Sequence, residues 1–554
     1  MSVRYDICDV DALVVGGGGA GTRAAISAHD AGANVALAVK GQLGHCGSTS
    51  AAFGETTMYA ATPERGDSRD GFYNDTVKAG MGLIDERLVQ VLVEEARPRL
   101  DDLVSYGVRF EYIPERDLFE AGFAHSFPRT YLVATRYERE ILRRLVEQVR
   151  KRSIQVIEGM CIARLLVQDD EIVGAVGVNE DDRVTIFRTP AVILANGGAH
   201  ELFLHHPSTC EMTGDSFAMA YDAGALLTNM EFVQMGPISA APVKRILGAP
   251  VWRLKPVLRN VAQEEILERY LPEGVTEDEL FRIAEFPYTV RTITRYMNWA
   301  IFREIIEGRG TANRAVYLDF RHVTPEDMKA RAPFTYQALK ESGLDLLREQ
   351  AELSIGVQCF HGGPIIDTRS QTTVPGLFAC GEAAGGLMGP ERPGGNALAE
   401  CQVFGHRAGL NAARRAAAIK TRVGSAKLER LVHSLMPSVG TQRFDYAAVV
   451  RDVQETMFNH ALTIRTEDGL ARALRVIDGI NETLRQSRAS LKDSLVLHNM
   501  LTTARLILTA AIQRRESRGG HYREDFPEQK AEFDQNVLIR QKDGRMDVSL
   551  GKVW

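Results

Sequence analysis

The sequence predicts an α/β fold whose main domain is Rossmann-like and discontinuous. Three observations carry that reading. An apolar strand runs into a glycine burst near the N-terminus, two more such junctions lie far down the chain, and a stretch of different character separates them. With 554 residues, the chain has the length of several domains or of one large domain with insertions.

The first junction begins with Asp11-Ala12-Leu13-Val14-Val15, a short apolar run that reads as a buried strand. Gly16-Gly17-Gly18-Gly19-Ala20-Gly21 follows, then TRAAISAHDAGA, rich in helix formers, then NVALAV as a second strand. Strand, glycine turn, helix, strand is the βαβ unit of a dinucleotide fold. In Gly16-x-Gly18-x-x-Gly21 the first glycine allows the tight turn and the second lets a pyrophosphate approach the backbone. The third lets helix pack on strand, and the helix N-terminus offers unpaired N–H groups to phosphate. The acid that usually ends the second strand is missing, since Val39-Lys40 stands there.

The second junction is AVILANGGA, residues 191–199, and the third is GLFACGEAAGG, residues 376–386, followed by GPERPGGNALAE. They imply one nucleotide-binding domain assembled from residues 1–237 and 354–424. A capping domain of residues 238–353 is inserted, with a helix expected over TRYMNWAIFREIIEG. Residues 425–554 read as a helical domain closed by a charged tail.

Composition narrows the function classes. A share of 45% hydrophobic and 25% charged residues fits a globular chain, and a net charge of -6 supplies no basic field for a nucleic-acid backbone. The seven cysteines are scattered without a CxxC pair, so no iron–sulfur or zinc site is expected in this chain and no metal ligands are assigned. No signal-peptide pattern and no membrane-spanning run of roughly 20 apolar residues is read, and a cytoplasmic setting is expected.

After VVGGGGAG at the first junction come GSTSAAFGE (Gly47–Glu55), HSFPRTY (His125–Tyr131), TGDSFAMAYDAGA (Thr213–Ala225), MEFVQ (Met230–Gln234), GRGT, VYLDFRH and ESRGGHYREDFPE. In this order, over nearly the whole chain, they resemble the flavoprotein subunits of succinate dehydrogenase and fumarate reductase and the related L-aspartate oxidase. The resemblance implies FAD. It assigns Gly16, Gly18 and Gly21 to the pyrophosphate, Asp215 to the adenosine side and Glu382 to the ribityl chain. Backbone groups of Ala397 and Leu398 would meet the flavin pyrimidine edge, with Lys40, Ser48, Thr49, Gly54, Ala195, Gly197 and Asn396 completing the cofactor set. Ser48 occupies the position at which the dehydrogenases attach flavin through a histidine, so the expected FAD is non-covalent. His45, three residues earlier, reads as a surface loop residue.

The resemblance also implies a substrate site of two histidines and an arginine, with a second arginine passing a proton. Arg392 in PERPGGNAL matches the binding arginine, whose planar fork suits a carboxylate. The histidines do not match: Gly236 stands in MEFVQMGP and Gln358 in QCFHGG. His361, beside Gly362-Gly363, is either a partial substitute or a hydrogen-bonded hinge residue. Arg295, or Arg291 as backup, would handle the proton, and no acid adjoins Arg295 in sequence, although Glu285 is near. Lys244, Arg245, Arg253 and Lys255 serve another anion or form solvated surface.

The expected activity is hydride transfer between flavin and a carbon next to a carboxylate or other anionic group. Electrons would pass to a separate iron–sulfur partner. The alternatives are an aspartate oxidase-like enzyme using oxygen or fumarate, and a non-catalytic flavin electron relay.

Overall fold

The computed structural model describes residues 5–51, 57–111, 126–127, 129–133, 140–284, 287–419, 422–435, 442–485, 487–488 and 490–553. Its organising element is a five-stranded parallel sheet: β1 (Ala12–Val15), β2 (Val35–Val39), β3 (Gln155–Glu158), β4 (Val192–Leu194) and β5 (Leu377–Ala379), in the order β5-β4-β1-β2-β3. Every residue of β1, β2, β4 and β5 is buried, as expected for parallel strands covered on both faces. The three glycine junctions follow β1, β4 and β5, which are adjacent. Val192 pairs with both Leu13 and Leu377, so segments hundreds of positions apart end side by side.

The helix Gly19–Asp30 follows β1 and packs along Asn396–Ala418. A second sheet, Tyr5–Asp9, Val184–Arg188, Glu171–Val178 and Cys161–Gln168, forms a separate layer that the sequence reading passes over.

The inserted segment builds a five-stranded sheet in which Val233–Ala241 pairs antiparallel with Ala351–Phe360. The expected boundaries at 237/238 and 353/354 fall inside these two strands, at the pairs Pro237↔Ile355 and Ile238↔Ser354. The cap therefore rises on a two-stranded stalk continuous with the cofactor domain. The helix expected over residues 294–308 is observed at Arg295–Ile306.

The C-terminal part contains the expected helices, among them Tyr446–Ala461, Glu467–Arg485 and Leu491–Gln513. Its tail differs from the sequence reading. It ends in a hairpin, Asn536–Lys542 with Arg545–Gly551, whose first strand pairs through Ile539 and Leu538 with Leu227 and Thr228. The helix Leu491–Gln513 also corrects the reading that no run is long enough to span a bilayer. By length and composition alone it passes, and 72% of its most apolar window is buried inside the fold.

Candidate active site

The carboxyl ends of β1, β4 and β5 form one edge, and most of the sequence-predicted cofactor residues stand on it. Gly16 has φ +108°, and a Cβ there would lie 2.4 Å from the Ala195 carbonyl oxygen. A Cβ on Gly21 would lie 1.8 Å from the Gly16 oxygen, so the helix reaches the strand only because position 21 carries no side chain. Gly18 is open, with Thr49 Oγ1 at 3.6 Å from its virtual Cβ as its nearest neighbour. Thr49 Oγ1 accepts from the Gly19 N–H at 3.1 Å, which ties the loop after β2 to the start of the helix. Ala195 N–H donates to Val15 O and Cys380 N–H to Leu194 O, which aligns the Ala195–Gly197 turn and the turn holding Glu382 with the glycine loop.

Lys40, at the end of β2, meets Asp215 at the start of the helix Asp215–Asp222. Lys40 Nζ donates to Asp215 Oδ2 at 3.0 Å and to Thr213 Oγ1 at 2.6 Å, while Asn499 Nδ2 donates to Asp215 Oδ1 at 2.8 Å. Burial alone would lower the Lys40 pKa, but the Asp215 charge outweighs it and the pKa is raised. The acid missing from β2 is thus present in space, supplied from a distant segment and already paired.

Ser48 Oγ lies 3.0 Å from Ser208 Oγ and donates to Glu382 Oε2 at 3.4 Å. Glu382 Oε1 accepts from the Phe360 N–H at 2.9 Å, with His200 Nε2 3.6 Å away. His45 is exposed. Gly54 and Glu285 lie outside the described residues. Asn396, Ala397 and Leu398 open the helix Asn396–Ala418, so their N–H groups belong to its first turn.

Arg392 is buried just before this helix. Its Nη1 donates to the carbonyls of Pro393 and Gly394 at 3.2 and 2.6 Å, and its Nε has no partner among the described residues. The preceding residue, Glu391, is buried and receives two donors from the cap: Thr289 Oγ1 at 2.7 Å and Arg291 Nη1 at 3.0 Å. Burial raises the Glu391 pKa against the opposing Arg291 charge. Gly519 and Gly520 clamp this junction, because Val290 N–H donates to Gly519 O and Gly520 N–H to Pro390 O, both at 3.1 Å.

Among the described residues, Arg295 pairs with no acid. It donates to the Val290 and Thr292 carbonyls and to Tyr296 Oη, and it lies over the rings of Tyr296 and Trp299. His361 has both ring nitrogens engaged. Nδ1 donates to Gly389 O at 2.7 Å, and Nε2 lies 3.1 Å from the Gln234 side-chain amide. With that amide turned so that its N–H faces the ring, His361 is neutral and Gln234 Nε2 gains the partner it otherwise lacks. Burial and the Arg392 charge push the His361 pKa down to about 3. Gln358 lies on the strand Ala351–Phe360 that ends just before His361, its Oε1 buried without a partner among the described residues.

Glu391 and Thr289 are not among the sequence-predicted site residues. The available signal was a charged Glu391-Arg392 pair within an otherwise apolar, glycine-rich segment.

The site fits a large polar cofactor. Along the edge, Asn196 Oδ1, Asn396 Oδ1 and Gln402 Oε1 are buried without partners among the described residues, and the open Gly18 adjoins a helix N-terminus. Residues 11–398 match the FAD binding domain family, and residues 450–553 match the fumarate reductase flavoprotein C-terminal family. The chain is 33% identical to one of the subunits of the fumarate reductase (CoM/CoB) of Methanothermobacter marburgensis, over 98% of each chain. It is 30% identical to L-aspartate oxidase of Streptomyces coelicolor, over 96% of this chain and 91% of that one. Among solved structures, the quinol fumarate reductase FrdA of E. coli superposes with a TM-score of 0.83 at 25% identity, over 99% of this chain and 98% of that one.

Proposed function

Since the chain belongs to the fumarate reductase and succinate dehydrogenase flavoprotein family of FAD-dependent oxidoreductases, we propose that it oxidises or reduces a carbon next to a carboxylate or similar anionic group, with Arg392 holding that group. One observation carries the assignment. Arg392 is a buried guanidinium with no carboxylate in ion-pair contact among the described residues, set four residues before the helix turn that would meet the flavin. A buried cation without a directly paired carboxylate is costly, and a ligand carboxylate is the group that its planar fork is shaped to take.

Bound at the sheet edge, FAD supplies the hydride donor or acceptor. Gly16, Gly18 and Gly21 let its pyrophosphate approach, with Lys40, Asp215, Ala195, Gly197, Thr49 and Glu382 around it. Ser48, bonded within the protein, stands where a linking histidine would be, which supports non-covalent binding. For the proton, the Arg291–Glu391 pair supports Arg291 over Arg295. A guanidinium gives up a proton only where a neighbouring carboxyl can return it, and Glu391 lies within hydrogen-bond reach of Arg291 alone of these two. His361 orients the arginine loop through Gly389 rather than moving a proton.

Electrons pass to a separate iron–sulfur partner in this reading. It is supported by the archaeal relative, whose name makes it one part of a larger reductase, and by the lack of clustered cysteines in the sequence. The similarity to an L-aspartate oxidase, together with Ser48, supports a second reading in which oxygen or fumarate takes the electrons. Anaerobic photoreduction of the FAD-loaded chain, followed by a panel of unsaturated and saturated organic acids, tests the proposal. An anionic member should reoxidise or bleach the flavin; if only uncharged compounds did so, the proposal would fail. Hydrogen peroxide release by the isolated chain in air separates the two electron-acceptor readings.

A further inference from the structure

If Arg392 is the anion anchor, the groups around it decide which anions fit. The two family histidine positions hold Gly236 and Gln358. The imidazole just past the strand that holds Gln358, His361, is neutral and committed to Gly389 and Gln234. Arg291 is neutralised by Glu391, and Arg295 is held by two carbonyls, the Tyr296 hydroxyl and two aromatic faces. Apart from Arg392, the described residues that replace or flank the family's substrate ligands therefore provide no uncommitted cation. They provide the Gln358 side-chain amide, whose Oε1 is buried without a partner among the described residues. A second carboxylate would lose its water and meet at most this neutral amide, without gaining a counter-charge. An amide N–H or a hydroxyl would instead complete Gln358.

We propose that the substrate is a monoanion: one carboxylate on Arg392, and an otherwise uncharged body carrying a hydrogen-bond donor that Gln358 Oε1 accepts. This rests on the Arg392 reading and goes further, since it excludes dicarboxylates as the preferred class. Glu391 acts here as a specificity-determining residue, cancelling the guanidinium that would otherwise favour a second negative charge.

The first comparison uses the parent protein alone. The FAD-loaded full chain is titrated with four four-carbon probes, following the flavin absorbance and the heat of binding. The probes are fumarate, its monoamide fumaramate, crotonate and uncharged crotonamide. The expected order is fumaramate tightest, crotonate next and fumarate at least about tenfold weaker than fumaramate, with crotonamide not binding. Fumarate binding as tightly as fumaramate overturns the inference while leaving the Arg392 reading standing. If no carboxylate binds, or Arg392→Ala leaves crotonate affinity unchanged, the anchor reading itself fails and this inference falls with it. Glu391→Gln and Gln358→His, checked for full FAD content, should each shift the preference towards fumarate. An unchanged preference ratio in both would contradict the roles given to these residues.

Discussion

A Cβ on Gly21 would stand 1.8 Å from the carbonyl oxygen of Gly16, so strand β1 and the helix after it touch backbone to backbone at the mouth of the cofactor site. Gly21→Ala must push the helix away from the strand or twist the loop. A loss of about 1–3 kcal/mol is expected from the overlap, together with weakened FAD retention because the helix N-terminus moves. Thermal unfolding and the ratio of flavin to protein absorbance after gel filtration measure both. A variant as stable and as yellow as the parent would show that the loop adjusts freely.

Lys40 and Asp215 join two segments 175 residues apart, both largely buried. Lys40→Met leaves Asp215 with its Thr213 and Asn499 donors but no cation, at a cost on the order of 3 kcal/mol at neutral pH. The pH dependence follows from the raised Lys40 pKa. Its stabilisation is complete below the ordinary value of 10.5 and is lost as pH rises through the higher folded value. Urea unfolding of parent and variant should therefore differ at neutral pH and converge only under strongly alkaline conditions.

His361, whose pKa is pushed down to about 3, is kept neutral by the fold while the unfolded chain takes up a proton near 6.5. Between those values the unfolded state binds more protons, so stability falls as pH falls, by about 1.4 kcal/mol per pH unit for this residue. His361→Gln removes that increment. The stability difference between parent and variant should shift by about 2 kcal/mol in the variant's favour between pH 6.5 and about pH 5. A constant difference across that range would mean that the ring is protonated in the folded protein.

The two arginine candidates separate by kinetics. Arg291→Lys, which keeps a charge near Glu391 but loses the guanidinium geometry, should slow turnover by about 100-fold with little change in KM. Arg295→Lys, which disturbs carbonyl, Tyr296 hydroxyl and aromatic contacts, should leave kcat within a few-fold. The reverse pattern would move the proton to Arg295.

What was legible in the sequence was local. The glycine junctions, Lys40 in place of an acid, and Gly236 in place of a histidine are each visible within a few residues. Relations across the chain were not. That Asp215 supplies the carboxylate beside Lys40, and that Glu391 takes Arg291, depends on strand order and on the stalk joining the cap, which no spacing rule reports. The terminal hairpin was misread because Arg545–Gly551 has no buried residue and alternates only between half-buried and exposed, so its polarity resembles a tail. The cuts at 237/238 and 353/354 fall within paired strands for a related reason: the two stalk strands are continuous in hydrophobicity across them.

The most direct measurement is crotonate titration of FAD-loaded Arg392→Ala beside the parent protein. FAD content should stay at one per chain, released intact by acid precipitation, while crotonate affinity falls by about 100-fold or more through loss of the charge-assisted pair. Equal crotonate affinity in parent and variant, with FAD still bound, would contradict the account of an anion held by Arg392 over a complete flavin site.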